Sequence, residues 1–85
     1  MKAIQINRYG GPEVLRIGEV PTPEPGPDQA LVKVEACSLN HHDVFTRRGM
    51  PGIDTPLPMV PGCDAAGVLA EVGDGVQGWS VGDRV

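Results

Sequence analysis

The 85-residue sequence predicts a small, turn-rich, mainly β domain with one short helix. Three observations carry that expectation. Apolar and polar residues alternate in several short segments, as half-buried strands require. Gly and Pro together make up about a quarter of the chain and punctuate those segments. In one stretch only, residues 40–49, the strand period gives way to a pattern with helix start and stop signals. Leu, Ile, Val and Phe also account for about a quarter of the residues, above the range of disordered chains.

The elements follow in order. Residues 1–7 alternate, with Ile4 and Ile6 on one face and Lys2, Gln5 and Asn7 between, and read as a first strand. Tyr9-Gly10-Gly11-Pro12 is a turn. Residues 14–20, with Val14, Leu15, Ile17 and Val20 apolar, read as a second strand antiparallel to the first. Four prolines between Pro21 and Pro27 exclude helix and ladder hydrogen bonds and predict an extended loop. That loop is either a ligand for SH3-like domains or a stiff connection, and its flanking strands favour the connection. Residues 29–36 are the best strand, with Leu31, Val32, Val34 and Ala36 apolar and Lys33 and Glu35 polar. Residues 40–48 read as a helix: Asn40 is the N-cap, Asp43 sits in the first turn, Arg47 and Arg48 in the last, and Gly49 stops it. Residues 50–61, with four prolines, form a packed loop. Residues 63–72 resume as a strand, in which Gly67 marks a bulge or a close backbone approach. Gly73-Asp74-Gly75 is a turn, and residues 81–85 read as a further turn leading into a strand. A chain that stops at a strand entry is expected to be part of a larger one.

Composition excludes several classes. The longest apolar run, residues 65–70, is far short of the ~20 residues that span a membrane, and no apolar segment follows Met1-Lys2 as a secretion signal needs. A net charge of −4 and a single basic pair, Arg47-Arg48, argue against nucleic-acid binding. Two cysteines, Cys37 and Cys63, make neither a disulfide framework nor a CxxC metal site, so a reducing, cytoplasmic setting is expected. No GxGxxG follows a strand and opens a helix, so no dinucleotide fingerprint lies in these residues.

The residues that carry chemistry are Asn40-His41-His42-Asp43 and Cys63-Asp64. Two imidazoles, a thiol and two carboxylates are transition-metal ligand types. Neighbouring helical residues point about 100° apart, so His41 and His42 do not face one ion together. A metal site would take one of them, Cys63 and a third ligand. The plain alternative makes Cys63 a small packing residue, His42 a surface residue and Asp43 a helix-end charge.

The order of motifs adds a resemblance. Pro61-Gly62-Cys63-Asp64-Ala65-Ala66-Gly67-Val68, then Val72-Gly73, Val76 and Val81-Gly82-Asp83-Arg84-Val85, resembles the medium-chain dehydrogenase/reductase superfamily, which includes zinc-type alcohol dehydrogenases and quinone oxidoreductases. Leu39 to Val44 with Arg47-Arg48-Gly49 resembles the quinone oxidoreductase-like branch. The resemblance covers the whole chain. It implies a GroES-like, partly open β-barrel, with residues 1–85 the incomplete N-terminal part of a catalytic domain and the Rossmann domain for NAD(P) absent.

Site roles come from the same resemblance. Where zinc alcohol dehydrogenases place a cysteine ligand this chain has Asn40; where they place a histidine ligand it has Cys63; Asp64 replaces a glutamate, and His42 stands at a proton-relay hydroxyl. The expectation is therefore no catalytic metal, with Cys63 and Asp64 as the candidates if one is held. Asn40 and His42 are expected to be catalytic, as donors to a carbonyl oxygen. Cys63 is expected to be substrate-binding and His41 cofactor-binding. The implied function is NAD(P)-dependent hydride transfer with a carbonyl, enone or quinone. The 85 residues alone are expected to be inactive, and the whole protein to be a homo-oligomer. A zinc-dependent alcohol dehydrogenase and a stand-alone GroES-like binding module are the other readings; a downstream dinucleotide fingerprint separates the module from the enzymes.

Overall fold

The computed structural model describes residues 1–85. In chain order it contains β1 (Lys2–Gln5), a 3-10 turn (Pro12–Val14), β2 (Arg16–Glu19), β3 (Ala30–Ser38), α1 (His41–Arg48) and β4 (Asp64–Val72). The chain divides into two compact units. One comprises residues 1–21 and 39–63, the other residues 22–38 and 64–85. No helix is long and apolar enough to cross a membrane.

In the first unit β1 and β2 pair antiparallel, with Lys2 opposite Glu19 and Ile4 opposite Ile17. The Lys2–Glu19 register sets opposite charges across the ladder, a favourable cross-strand pair. The second strand starts later than the apolar pattern of residues 14–20 implies. Pro12 presets a helical φ at the first position of the 3-10 turn, and the Leu15 N–H closes that turn on the Pro12 carbonyl at 3.2 Å. Glu13 Oε1 accepts from the Gly11 N–H at 3.2 Å. The backbone N–H of Glu13, then that of Gly11, holds this carboxyl below the usual carboxylate range. Val14 is the buried inner residue of the turn, and the ladder begins at Arg16.

Ile4 and Ile6 share a face by period but not by environment. Ile4 is half-exposed, whereas Ile6 is fully buried because β1 ends at Gln5 and Ile6 pairs with Met59 instead. The Ile6 N–H reaches the Met59 carbonyl at 2.9 Å, and the Met59 N–H returns to Ile6 at 3.0 Å. The proline-rich loop is thus pinned to the first strand. A second pin is the Tyr9 hydroxyl, which accepts from the Thr55 N–H at 2.9 Å and donates to the Thr55 carbonyl at 3.2 Å.

The second unit is built on β3 and β4, antiparallel from Ala30 opposite Val72 to Ser38 opposite Asp64. The register slips twice: Ala70 is an extra residue on β4, and Glu35 an extra residue on β3. The second slip lies beside Gly67, where a Cβ would collide with the Lys33 carbonyl oxygen. Close backbone approach is therefore the reason for a glycine in mid-strand. The closing residues 82–85 pair with β4 on its other side. The Gly67 N–H donates to Val85 at 2.9 Å, the Val85 N–H to Gly67 at 3.0 Å, and the Leu69 N–H to Asp83 at 2.9 Å. This is the strand entry that the Val81–Asp83 turn predicted. Leu69, between the two pairings, is the buried apolar residue of this unit. Neither sheet closes on itself.

Gly67 and Gly18 make a matched pair for testing this account, since no atom lies within 4 Å of a Cβ added at Gly18. Chemical denaturation should show Gly67→Ala destabilised by about 1–3 kcal/mol, the usual cost of overpacking, and Gly18→Ala within about 0.5 kcal/mol of the parent. Equal effects would contradict the close approach.

Candidate functional site

Helix α1 starts where the sequence says it does. Asn40 has extended backbone, with φ −122° and ψ 143°, and its side-chain oxygen accepts from the His42 N–H at 2.9 Å. Asp43 Oδ2 accepts from the Asn40 N–H at 3.0 Å, which closes a capping box. These bonds satisfy backbone donors that a helix start otherwise leaves without acceptors, and the carboxylate meets the positive end of the helix dipole. At the other end Gly49 takes φ +86°, and its N–H donates to Thr46 at 3.2 Å. The Gly10 N–H holds the Arg47 carbonyl at 3.0 Å. The helix is fastened at both ends before any side chain of the site is placed.

His42, in the first turn, then meets Cys63 at the far end of the proline-rich loop. Its Nδ1 lies 3.1 Å from Cys63 Sγ. Thr46, one turn further along, sits 3.4 Å from the same nitrogen, and its hydroxyl donates to the His42 carbonyl at 3.1 Å. His42 and Cys63 are exposed, so a small molecule can reach both. Ligating atoms of His42, Asp43 and Cys63 all lie within 4.8 Å of one another.

That cluster does not fit a zinc ion as arranged. A thiolate and an imidazole on one tetrahedral zinc stand roughly 3.6 Å apart, given ordinary Zn–S and Zn–N bond lengths. At 3.1 Å the sulfur and nitrogen are bonded to each other. Asp43 Oδ2 is committed to the Asn40 N–H, and the Asn40 oxygen to the His42 N–H. The second carboxylate oxygen, Asp43 Oδ1, is buried without a hydrogen-bond partner.

Two further sequence-marked residues lie outside the cluster. His41 packs its ring edge-on against Phe45, with centroids 4.8 Å apart, and is exposed. Asp64 begins β4 in the second unit, and its Oδ2 accepts from the Ser38 hydroxyl at 3.5 Å. Thr46 carries no signal in composition. Its position four residues after His42, on the same helix face, is the cue that identifies it.

Residues 26–85 match the family model described as "Alcohol dehydrogenase GroES-like domain". The chain belongs to that family. Within this alcohol dehydrogenase GroES-like family it is 43% identical to a rat quinone oxidoreductase, over all of the chain and 26% of the relative. Among solved structures it resembles an NAD-dependent alcohol dehydrogenase, at 45% identity and a TM-score of 0.89, over 99% of the chain and 24% of that protein. It also resembles an Escherichia coli quinone oxidoreductase complexed with NADPH, at 33% identity and a TM-score of 0.89, over 99% of the chain and 26% of that protein. The chain thus spans about a quarter of the length of these relatives. The fold expected from sequence, mainly β and GroES-like with one short helix, is the fold that these neighbours share.

The capping role of Asn40 is measurable apart from any activity. Asn40→Ala should cost about 1 kcal/mol in chemical denaturation, whereas Asn40→Asp should keep most of the cap, because both side chains rank together at this position. Equal stability of the two variants would show that the cap does not hold the helix.

Proposed function

We propose that the protein to which this chain belongs is an NAD(P)-dependent oxidoreductase that moves a hydride between nicotinamide and a carbonyl, enone or quinone, without a catalytic zinc. The observation that carries the reading is the His42–Cys63 contact, in a chain related along its whole length to a protein named a quinone oxidoreductase. Nicotinamide, when bound, supplies or accepts the hydride. This chain supplies the polar groups that orient the acceptor and meet the charge on its oxygen.

The chemistry follows from the hydrogen bonds. When the Cys63 thiol donates to Nδ1, the His42 ring carries its proton on Nε2. An Nε2–H so fixed donates to the substrate oxygen as negative charge develops there. Proton transfer from that nitrogen completes the reduction. Asn40 adds the dipole of its side-chain amide beside His42, with its oxygen held by the helix start. Cys63 lines the substrate side and sets the tautomer. His41, exposed and edge-on against Phe45, is assigned to the cofactor side. An enone or quinone suits this set because its oxygen needs only an oriented donor, whereas a developing alkoxide without a Lewis acid needs more.

The test follows deuterium from nicotinamide cofactor labelled at C4 into the carbon skeleton of an enone, using the whole protein, with quinone reduction read separately from cofactor oxidation. Label should appear in the product, and His42→Ala should lower kcat/KM by about 10²-fold, the scale of losing one donor at a developing oxyanion. No deuterium transfer, or an unchanged kcat/KM in His42→Ala, would overturn the assignment.

A further inference from the structure

We propose that Cys63 captures α,β-unsaturated carbonyl and quinone electrophiles covalently, with His42 as the base that releases its sulfur. The chain has two cysteines, and both are exposed. Cys37, on β3, lines an open depression of about 280 Å³ together with Ala36, Ser38, Asp64, Ala65 and Ala66, so a reagent reaches it without obstruction. Cys63 differs in one respect that matters for nucleophilicity: an imidazole nitrogen stands 3.1 Å from its sulfur. A nucleophile within hydrogen-bond reach of a base, with the base itself oriented by a third group, is the arrangement that activates a weak thiol. Thr46 Oγ1 lies 3.4 Å from the same nitrogen; with its proton given to the His42 carbonyl at 3.1 Å, that oxygen can only accept, and so steadies Nδ1 once the thiol proton has passed to it, while the helix turn orients the ring. The capping box fixes the helix turn that carries His42.

The step is a conjugate addition. The Sγ–H bond breaks and its proton passes to His42 Nδ1. The sulfur electron pair forms a C–S bond at the β-carbon, and the C=C π pair moves through the conjugated system onto the carbonyl oxygen. The enolate recovers the proton from His42. With a quinone, transfer of the ring proton through solvent to the second oxygen leaves a hydroquinone thioether. The whole electrophile is added, nothing departs, and no separate oxidant or reductant is consumed. The choice of electrophile rests on the proposed function. The consequence for that function is inactivation by excess substrate, because a thioether at Cys63 no longer donates S–H to Nδ1.

The experiment exposes the whole folded protein briefly to limiting N-ethylmaleimide, and separately to 1,4-benzoquinone, with no nicotinamide present. Peptide mass spectrometry then reads the modification rates of Cys63 and Cys37. Cys63 should react at least about tenfold faster than Cys37, as an activated thiol does against an ordinary one. The gap should vanish in guanidinium, and His42→Asn should bring Cys63 down to the rate of Cys37 while Cys37 is unchanged. Equal rates in the folded protein, or a Cys63 advantage that survives His42→Asn, would overturn the proposal. If His42→Asn does not fold, the folded-against-denatured comparison in the unsubstituted protein decides. Because no hydride donor is present, failure here leaves the hydride-transfer reading intact, and failure of hydride transfer leaves these rates untouched.

Discussion

At Asn40 one side chain and one backbone amide make a pair of exchanges that organise everything around them. The amide oxygen takes the His42 N–H, and Asp43 takes the Asn40 N–H. An eight-residue helix is too short to persist in water on its own propensity, so its ends must be held by other groups. Here the N-terminal box and the Gly49 stop supply them, with Gly10 bonded to the last turn. The direction of the His42 ring is set by where the first turn begins. A shift of one residue would rotate it by about 100° around the helix, away from Cys63. The local capping chemistry is therefore also the positioning device of the site.

The same exchanges limit what the site does. An amide oxygen bonded to a backbone N–H is not offered to a cation, and a carboxylate oxygen that closes a capping box is not offered either. The imidazole and the thiol, both exposed, are hydrogen-bonded to each other, and Asp43 Oδ1 is buried without a partner. A pair of this kind handles protons and presents a nucleophile. The exposure of both groups lets one small molecule meet either the imidazole or the sulfur. The two proposals therefore assign reduction and covalent capture to the same class of molecule at one place.

Much of this was legible in the sequence because it is local. Asn40, Asp43 and Gly49 mark the helix by rules that act over three or four residues, and the structure places all three as the rules require. Gly67 announced a close approach, and the Lys33 carbonyl is what approaches. The second strand was read too early because apolar spacing does not separate a strand from a 3-10 turn; Pro12 was the available signal. What escaped depends on distant partners. Ile4 and Ile6 look equivalent until Met59 pairs with one of them. Thr46 has no role until His42 and Cys63 are side by side. The adjacency of His42 and Cys63 was raised from chemistry, but its 3.1 Å geometry depends on the fold of the proline-rich loop between them.

The central claim is that Asn40 Oδ1 and Asp43 Oδ2 hold the helix start and that His42 Nδ1 is engaged by Cys63. The most direct measurement is a high-resolution crystal structure of the whole protein, grown with zinc present, with diffraction collected on both sides of the zinc absorption edge. The account predicts Asn40 Oδ1 on the His42 N–H, Nδ1 and Sγ in hydrogen-bond contact, and no anomalous peak beside them. An anomalous peak about 2.3 Å from Cys63 Sγ, the length of a zinc–thiolate bond, with Asn40 turned away from the helix start, would contradict it.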